Sequence, residues 1–149
     1  MTTSRDIMSN KVITMESDVS PVDIAKIMEK NKMSSVIITK DQKPIGVITE
    51  RDLISKIISQ NKKPSEIKII DIISSPLIAV SPLTPVDEVA EKMIVEKIRR
   101  VVVMDMDQLL GIITVTDFVK HLHKMLANNE DYKQDIYQHL IEDLEHWTP

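Results

Sequence analysis

Ile45-Gly46-Val47-Ile48-Thr49-Glu50-Arg51-Asp52-Leu53 and Leu110-Gly111-Ile112-Ile113-Thr114-Val115-Thr116-Asp117-Phe118 are one phrase written twice, 65 residues apart. In each, an apolar run interrupted by one glycine reaches a threonine, and an aspartate follows three residues later. That order reads as a strand turning directly into a helix. The 149-residue chain contains two glycines, and both sit at the same place in this phrase. Glycine is needed where a side chain would collide or where the backbone takes φ > 0, so the coincidence marks a duplicated corner.

The duplication extends outward. Asp6-Ile7-Met8-Ser9 matches Asp71-Ile72-Ile73-Ser74 at an offset of 65, and Ser20-Pro21-Val22-Asp23 matches Thr84-Pro85-Val86-Asp87 at 64. Two copies of roughly sixty residues therefore fill the chain to residue 126. Each reads β-α-β-β-α. In the first copy, Val12–Met15 is a short strand. Pro21 opens a helix behind a Ser20 cap, with Val22, Ala25, Ile27 and Met28 on its apolar face to about Asn31. Ser34–Thr39 and Pro44–Ile48 form a hairpin around Asp41-Gln42-Lys43, and a helix after Thr49 carries Leu53, Ile54, Ile57 and Ile58 to Gln60. In the second copy, Leu77–Val80, Pro85–Glu96 (Val89, Ala90 and Met93 inward), Val101–Met104, Leu109–Ile113 and Val115–Leu126 repeat the series. The organisation expected is a first repeat over 1–66, a second over 67–126, and an acidic tail over 127–149. A tail helix is expected over Glu130–Glu145, because Ile136, Leu140 and Leu144 recur every fourth residue.

Composition narrows the function. The four aromatic residues, Phe118, Tyr132, Tyr137 and Trp147, are too few for single-strand nucleic-acid binding by base stacking. Net charge is −4, and residues 127–149 alone hold six acids and one base, which leaves the rest near neutral. No global basic field attracts nucleic acid. With no cysteine, disulfides, thiol catalysis and cysteine-based zinc sites are excluded. His121 and His123, two apart on a helix, point to different sides, and His139 and His146 lie in the acidic tail, so no metal site is expected. No nucleophile elbow, phosphate-binding glycine loop or zinc-protease motif is present. The N-terminus lacks an apolar signal core and no apolar run reaches membrane-spanning length, so a cytoplasmic protein without membrane insertion is expected.

The chemistry of the repeated corner can be argued directly. Where a strand turns into a helix, free N–H groups and the helix dipole favour a phosphate. A carboxylate one turn later, Asp52 or Asp117, can accept from the two hydroxyls of a ribose, as acids do in dinucleotide sites. Thr-x-x-Asp before an apolar helix also reads as a capping box, and cap and ligand can use different lone pairs. Arg99-Arg100 opens a strand where the first copy has Ser34-Ser35, and arginine's planar fork suits a phosphate.

Two tandem β-α-β-β-α units, each with Gly-h-h-Thr-x-x-Asp (h, hydrophobic) at the last strand-to-helix junction, resemble a CBS (cystathionine β-synthase) domain pair, or Bateman module, over about residues 5–126. The resemblance implies an α+β fold: two pseudosymmetric repeats packed through their sheets, with the C-terminal amphipathic helix outside them. It also implies two clefts. One would be lined by Thr114, Ile112, Arg100 and Asp117 with Ser9, Thr14, Met33 and Ser34. The other would be lined by Thr49, Val47, Ser35 and Asp52 with Ala79, Ile98 and Arg99, and Arg51 would add a phosphate contact. Because serines face arginines across the repeat, the two clefts are expected to be unequal. The implied function is regulatory and non-catalytic: AMP, ADP or ATP binds, S-adenosylmethionine-type ligands also being compatible, and the module changes shape. No further cofactor is implied. A homodimer acting in trans on a partner protein is expected. The rival expectation is a structural adaptor whose clefts are filled by its own side chains and whose tail recruits a partner.

Overall fold

The computed structural model describes residues 1–74 and 77–127, and beyond them 130, 131, 134, 135, 138, 139 and 142. In chain order the elements are α1 (Ser4–Ile7), β1 (Thr14–Glu16), α2 (Pro21–Asn31), β2 (Ser35–Lys40), β3 (Lys43–Thr49), α3 (Glu50–Leu53), β4 (Ala79–Val80), α4 (Val86–Val95), β5 (Arg100–Asp105), β6 (Gln108–Thr114) and α5 (Val115–Leu126). The described tail residues are helical, while Ile136, Leu140, Leu144 and Trp147 lie outside the described residues. Among the described residues, no helix is long and apolar enough to cross a membrane.

The architecture is α+β, with two three-stranded sheets ordered β1-β2-β3 and β4-β5-β6. In each sheet the outer strand runs parallel to the middle one, and the hairpin strands run antiparallel. The registers are equivalent: Ser35 faces Thr49 and Ile38 faces Gly46, as Arg100 faces Thr114 and Val103 faces Gly111. Both hairpins slip register one step beyond the glycine pair.

Helix α2 starts as its sequence dictates, with Ser20 Oγ accepting from the Asp23 N–H at 3.1 Å and Pro21 in the first turn. Its inward face differs from the expected one. Ile24 and Met28 are buried, while Val22 is 42% exposed. The stripe is set by what packs on it, here β2 and the segment after α3, rather than by apolarity alone. The helix expected from Thr49 to Gln60 is also altered: α3 gives way to a wider π-helical turn over Ile54–Ile58, whereas its counterpart α5 is regular. Single π turns inside helices are frequent at functional sites.

The cores do not follow the sequence repeats. One gathers Ile24, Met28, Val36, Ile38, Ile48 and Ile57 with Ile69 and Ile72 from the connector. The other gathers Val80, Val89, Met93, Val101, Val103 and Ile113 with Ile7 from α1. A third cluster, Ile37, Val102 and Ile112, joins the inner faces of the two sheets. Each copy thus takes into its interior the segment that precedes the other in sequence. Short backbone bridges fix the exchange: Ser9 with Ile112, and Ser74 with Val47.

Neither glycine has positive φ, so the steric reason for glycine applies. A Cβ on Gly46 would lie 2.9 Å from the Ser74 carbonyl oxygen, and one on Gly111 would lie 2.7 Å from that of Ser9.

Candidate functional site

Both Thr-x-x-Asp corners are formed as capping boxes. The Asp52 carboxylate, through Oδ2, accepts from the Thr49 N–H and from Thr49 Oγ1, both at 2.9 Å, and Thr49 Oγ1 accepts from the Asp52 N–H at 3.1 Å. Asp117 Oδ2 accepts from the Thr114 N–H at 2.7 Å and from Thr114 Oγ1 at 3.1 Å. The first helical N–H of each corner is also taken: Glu50 donates to the Ser34 carbonyl, and Val115 to that of Arg99. The free amide cradle expected at these corners is therefore largely used up by the fold. An anion in this protein has to be met mainly by side chains.

Those side chains converge in a cavity of about 430 Å³ between the two sheets, within the size range of small-molecule sites. Its apolar walls come from the inner faces of both sheets, Ile37 and Val47 on one side and Val102 and Ile112 on the other. It is also lined by Thr49, Glu50 and Arg51 from the first corner and by Arg99 and Arg100 where β5 begins. Three guanidinium groups thus face one carboxylate.

Arg100 is the most informative of them. It is half-buried, and its Nη1 is the one buried side-chain nitrogen or oxygen without a hydrogen-bond partner among the described residues. A buried donor left unpaired costs about 1–3 kcal/mol. Burial pulls the Arg100 pKa below its ordinary value; Asp52 opposes this, Arg99 adds to it, and Glu50 opposes it. Arginine remains a cation near neutral pH even so. An anion with two or more acceptor oxygens matches this unpaired donor.

Of the residues expected in the first-corner cleft, Val47, Thr49, Arg51, Ile98 and Arg99 line the cavity. Arg100, Ile112 and Ser34, assigned to the opposite cleft, line it too. Ser35, buried opposite Thr49, and Ala79, packed in the inter-sheet cluster, do not line it. Asp52 does not line it: it is 7% exposed and turned into its cap. Ser9, Thr14, Met33, Thr114 and Asp117 do not line it either. Ser9 is instead held by the Ile112 backbone, donating to its carbonyl at 2.8 Å and accepting from its N–H at 3.0 Å. This one cavity thus draws on both expected sets.

Glu50, Ser74, Leu77 and Ile78 line the cavity without having been expected. Ser74 is the repeat counterpart of Ser9, and Leu77 and Ile78 are the counterparts of Val12 and Ile13. Carrying the repeat through from Ser9 would have found Ser74, whereas no residue expected in either cleft corresponds to Leu77 or Ile78.

Residues 5–59 and 69–124 each match the CBS domain family. The chain belongs to that family. As a CBS pair it is 35% identical over 137 residues to an uncharacterized protein of Methanopyrus kandleri, covering 91% of this chain and 70% of the relative. It is 30% identical over 117 residues to an uncharacterized protein of Methanocaldococcus jannaschii, covering 76% of this chain and 63% of that protein. Among solved structures it is similar to the CBS domain pair of protein MJ0100 in complex with 5-methylthioadenosine and S-adenosyl-L-methionine (TM-score 0.75, 33% identity, 84% of this chain and 98% of that one). It is also similar to a hexameric CBS-CP12 protein from bloom-forming cyanobacteria (TM-score 0.73, 29% identity, 80% of this chain and 70% of that one).

Proposed function

We propose that this CBS pair is a non-catalytic regulatory module that binds a phosphate-bearing adenosine ligand, AMP, ADP or ATP, in the cavity between its copies. The observation that carries the reading is the buried, unpartnered Nη1 of Arg100, set in a cavity that also holds Arg51 and Arg99. The apolar walls suit a flat heterocycle and the arginines suit phosphate oxygens. The MJ0100 pair, bound to two adenosine compounds, supports the adenosine part. The three guanidinium groups favour an anionic nucleotide over the sulfonium S-adenosylmethionine. Asp52 and Asp117 would meet a ribose only through lone pairs that their caps leave over.

Occupation of the cavity changes the relation between the two sheets, and a partner protein in trans reads that change. Ile54, Ile58, Val115, Val119, Leu122 and Met125, on the helices that follow the corners, are each more than half exposed. Exposed apolar side chains along helix faces mark contact surfaces, and a homodimer through them is part of the proposal. The same side chains also favour a second reading, an adaptor that binds proteins and no small molecule.

Thermal-shift measurements with AMP, ADP, ATP and S-adenosylmethionine separate the two readings. A ligand at a hundred times its Kd adds about 2.7 kcal/mol to stability. A rise with a nucleotide that disappears in Arg100→Ala supports the sensor, and no rise with any of the four leaves the adaptor.

A further inference from the structure

Asp52 stands directly behind the cavity wall: Thr49 and Ser74, which line the cavity together with Arg100, donate their hydroxyls to its carboxylate at 2.9 Å and 3.5 Å, and among neighbouring charges it most strongly opposes the lowering of the Arg100 pKa. Its Oδ1 lies 2.9 Å from Lys56 Nζ, in an ion pair across one helical turn. Its Oδ2 is filled by Thr49. Lys56 also donates to the Ile72 carbonyl at 2.8 Å, so it is anchored on the connector as well as on the carboxylate. Lys56 itself does not line the cavity. In the second copy the equivalent position is His121, and among the described residues no ion pair joins it to Asp117.

We propose that Lys56 is a specificity-determining residue that works through Asp52: by pairing with that carboxylate behind the wall, it offsets the negative charge next to the Arg100 guanidinium and leaves that donor open to an anionic ligand. A negative charge behind the wall of a partly buried site lowers its affinity for a phosphate even without contact, because the interior screens charge poorly. Lys56 cancels part of the negative field that Asp52 projects into the cavity. The inference rests on the reading of the cavity as a phosphate site.

The test is calorimetric titration with AMP and with inorganic pyrophosphate, which has no ribose and so senses Asp52 only through its charge. Lys56→Met is expected to weaken pyrophosphate binding roughly three- to tenfold. Lys56→Arg keeps the cation and retains most of the affinity. Lys56→Met combined with Asp52→Asn recovers affinity toward wild type, because the freed carboxylate is gone. A purely structural role for Lys56 predicts no such recovery. Lys56→Gln, which keeps a donor for the Ile72 carbonyl, replaces the Met variant if that one does not fold. Unchanged binding in the Met or Gln variant overturns this inference and leaves the phosphate site standing, as does a double variant no better than the single one. A wild-type protein that binds neither AMP nor pyrophosphate overturns both.

Discussion

The backbone carbonyl of Ser9 passes 2.7 Å from the place a Cβ on Gly111 would occupy. That carbonyl also accepts from the Ile112 N–H at 3.0 Å, so it cannot retreat without breaking a bridge between the N-terminal segment and β6. Gly111→Ala is expected to destabilise the fold by about 1–3 kcal/mol, the usual cost of forcing atoms into filled space. Gly46→Ala meets the Ser74 carbonyl at 2.9 Å and should behave alike. Urea denaturation of both variants checks this, and a neutral effect would show that the segments can slide.

Arg100 makes an unusual prediction about sign. Its Nη1 is buried without a partner, so Arg100→Met should leave the ligand-free protein as stable as wild type, or raise its stability by about 1 kcal/mol. The same change should abolish any thermal shift with a nucleotide. Equal losses of apo stability and of ligand response would instead mean that Arg100 is structural.

The two corner aspartates should not be equivalent. Asp52 holds a capping threonine, Lys56 and the Ser74 hydroxyl, whereas Asp117 holds only its threonine among the described residues. Asp52→Asn should therefore cost about 1–2 kcal/mol, and Asp117→Asn about 0.5–1 kcal/mol. Parallel chemical denaturation decides the order.

Glu16 supplies the pH dependence. Hydrogen bonds from the Gln42 N–H at 2.9 Å and from Thr39 Oγ1 at 2.8 Å hold its pKa below the ordinary carboxylate value of 4.5. A carboxyl lowered by folding adds stability above its unfolded pKa and loses it as pH falls through the folded value. The stability gap between wild type and Glu16→Gln should be full near neutrality and close progressively in acid. A gap independent of pH would mean the carboxylate charge contributes nothing.

The exposed apolar face gives the last prediction. Val119→Glu should convert a wild-type dimer to monomer in light scattering, and Ile58→Glu on the other copy should do the same. A wild-type monomer would leave the face for a different partner.

Most of the fold was legible because the decisive signal was written twice. Thr49 and Thr114 end strands and cap helices as expected, and α2 and α5 fall where Pro21 and Val115 place them. What could not be read depends on contacts distant in sequence. The burial of Ile24 rather than Val22 is decided by what α2 packs on. The capture of Asp52 by Lys56, and the arrival of Ser74 beside Val47, require the connector to fold back onto β3. The arginines at the site were legible from their type and place. Their sharing of one cavity was not, because the sequence carries no measure of how the two sheets face each other.

The crossing of Ile7 into the second interior, and of Ile69 and Ile72 into the first, makes the duplicated halves mutual tenants. A chain severed near Lys63 would leave both fragments with a hollow that only the other can fill. They should be poorly folded apart, yet reassociate on mixing. Any strain set up at the seam would then travel into both interiors together, as a single cooperative response.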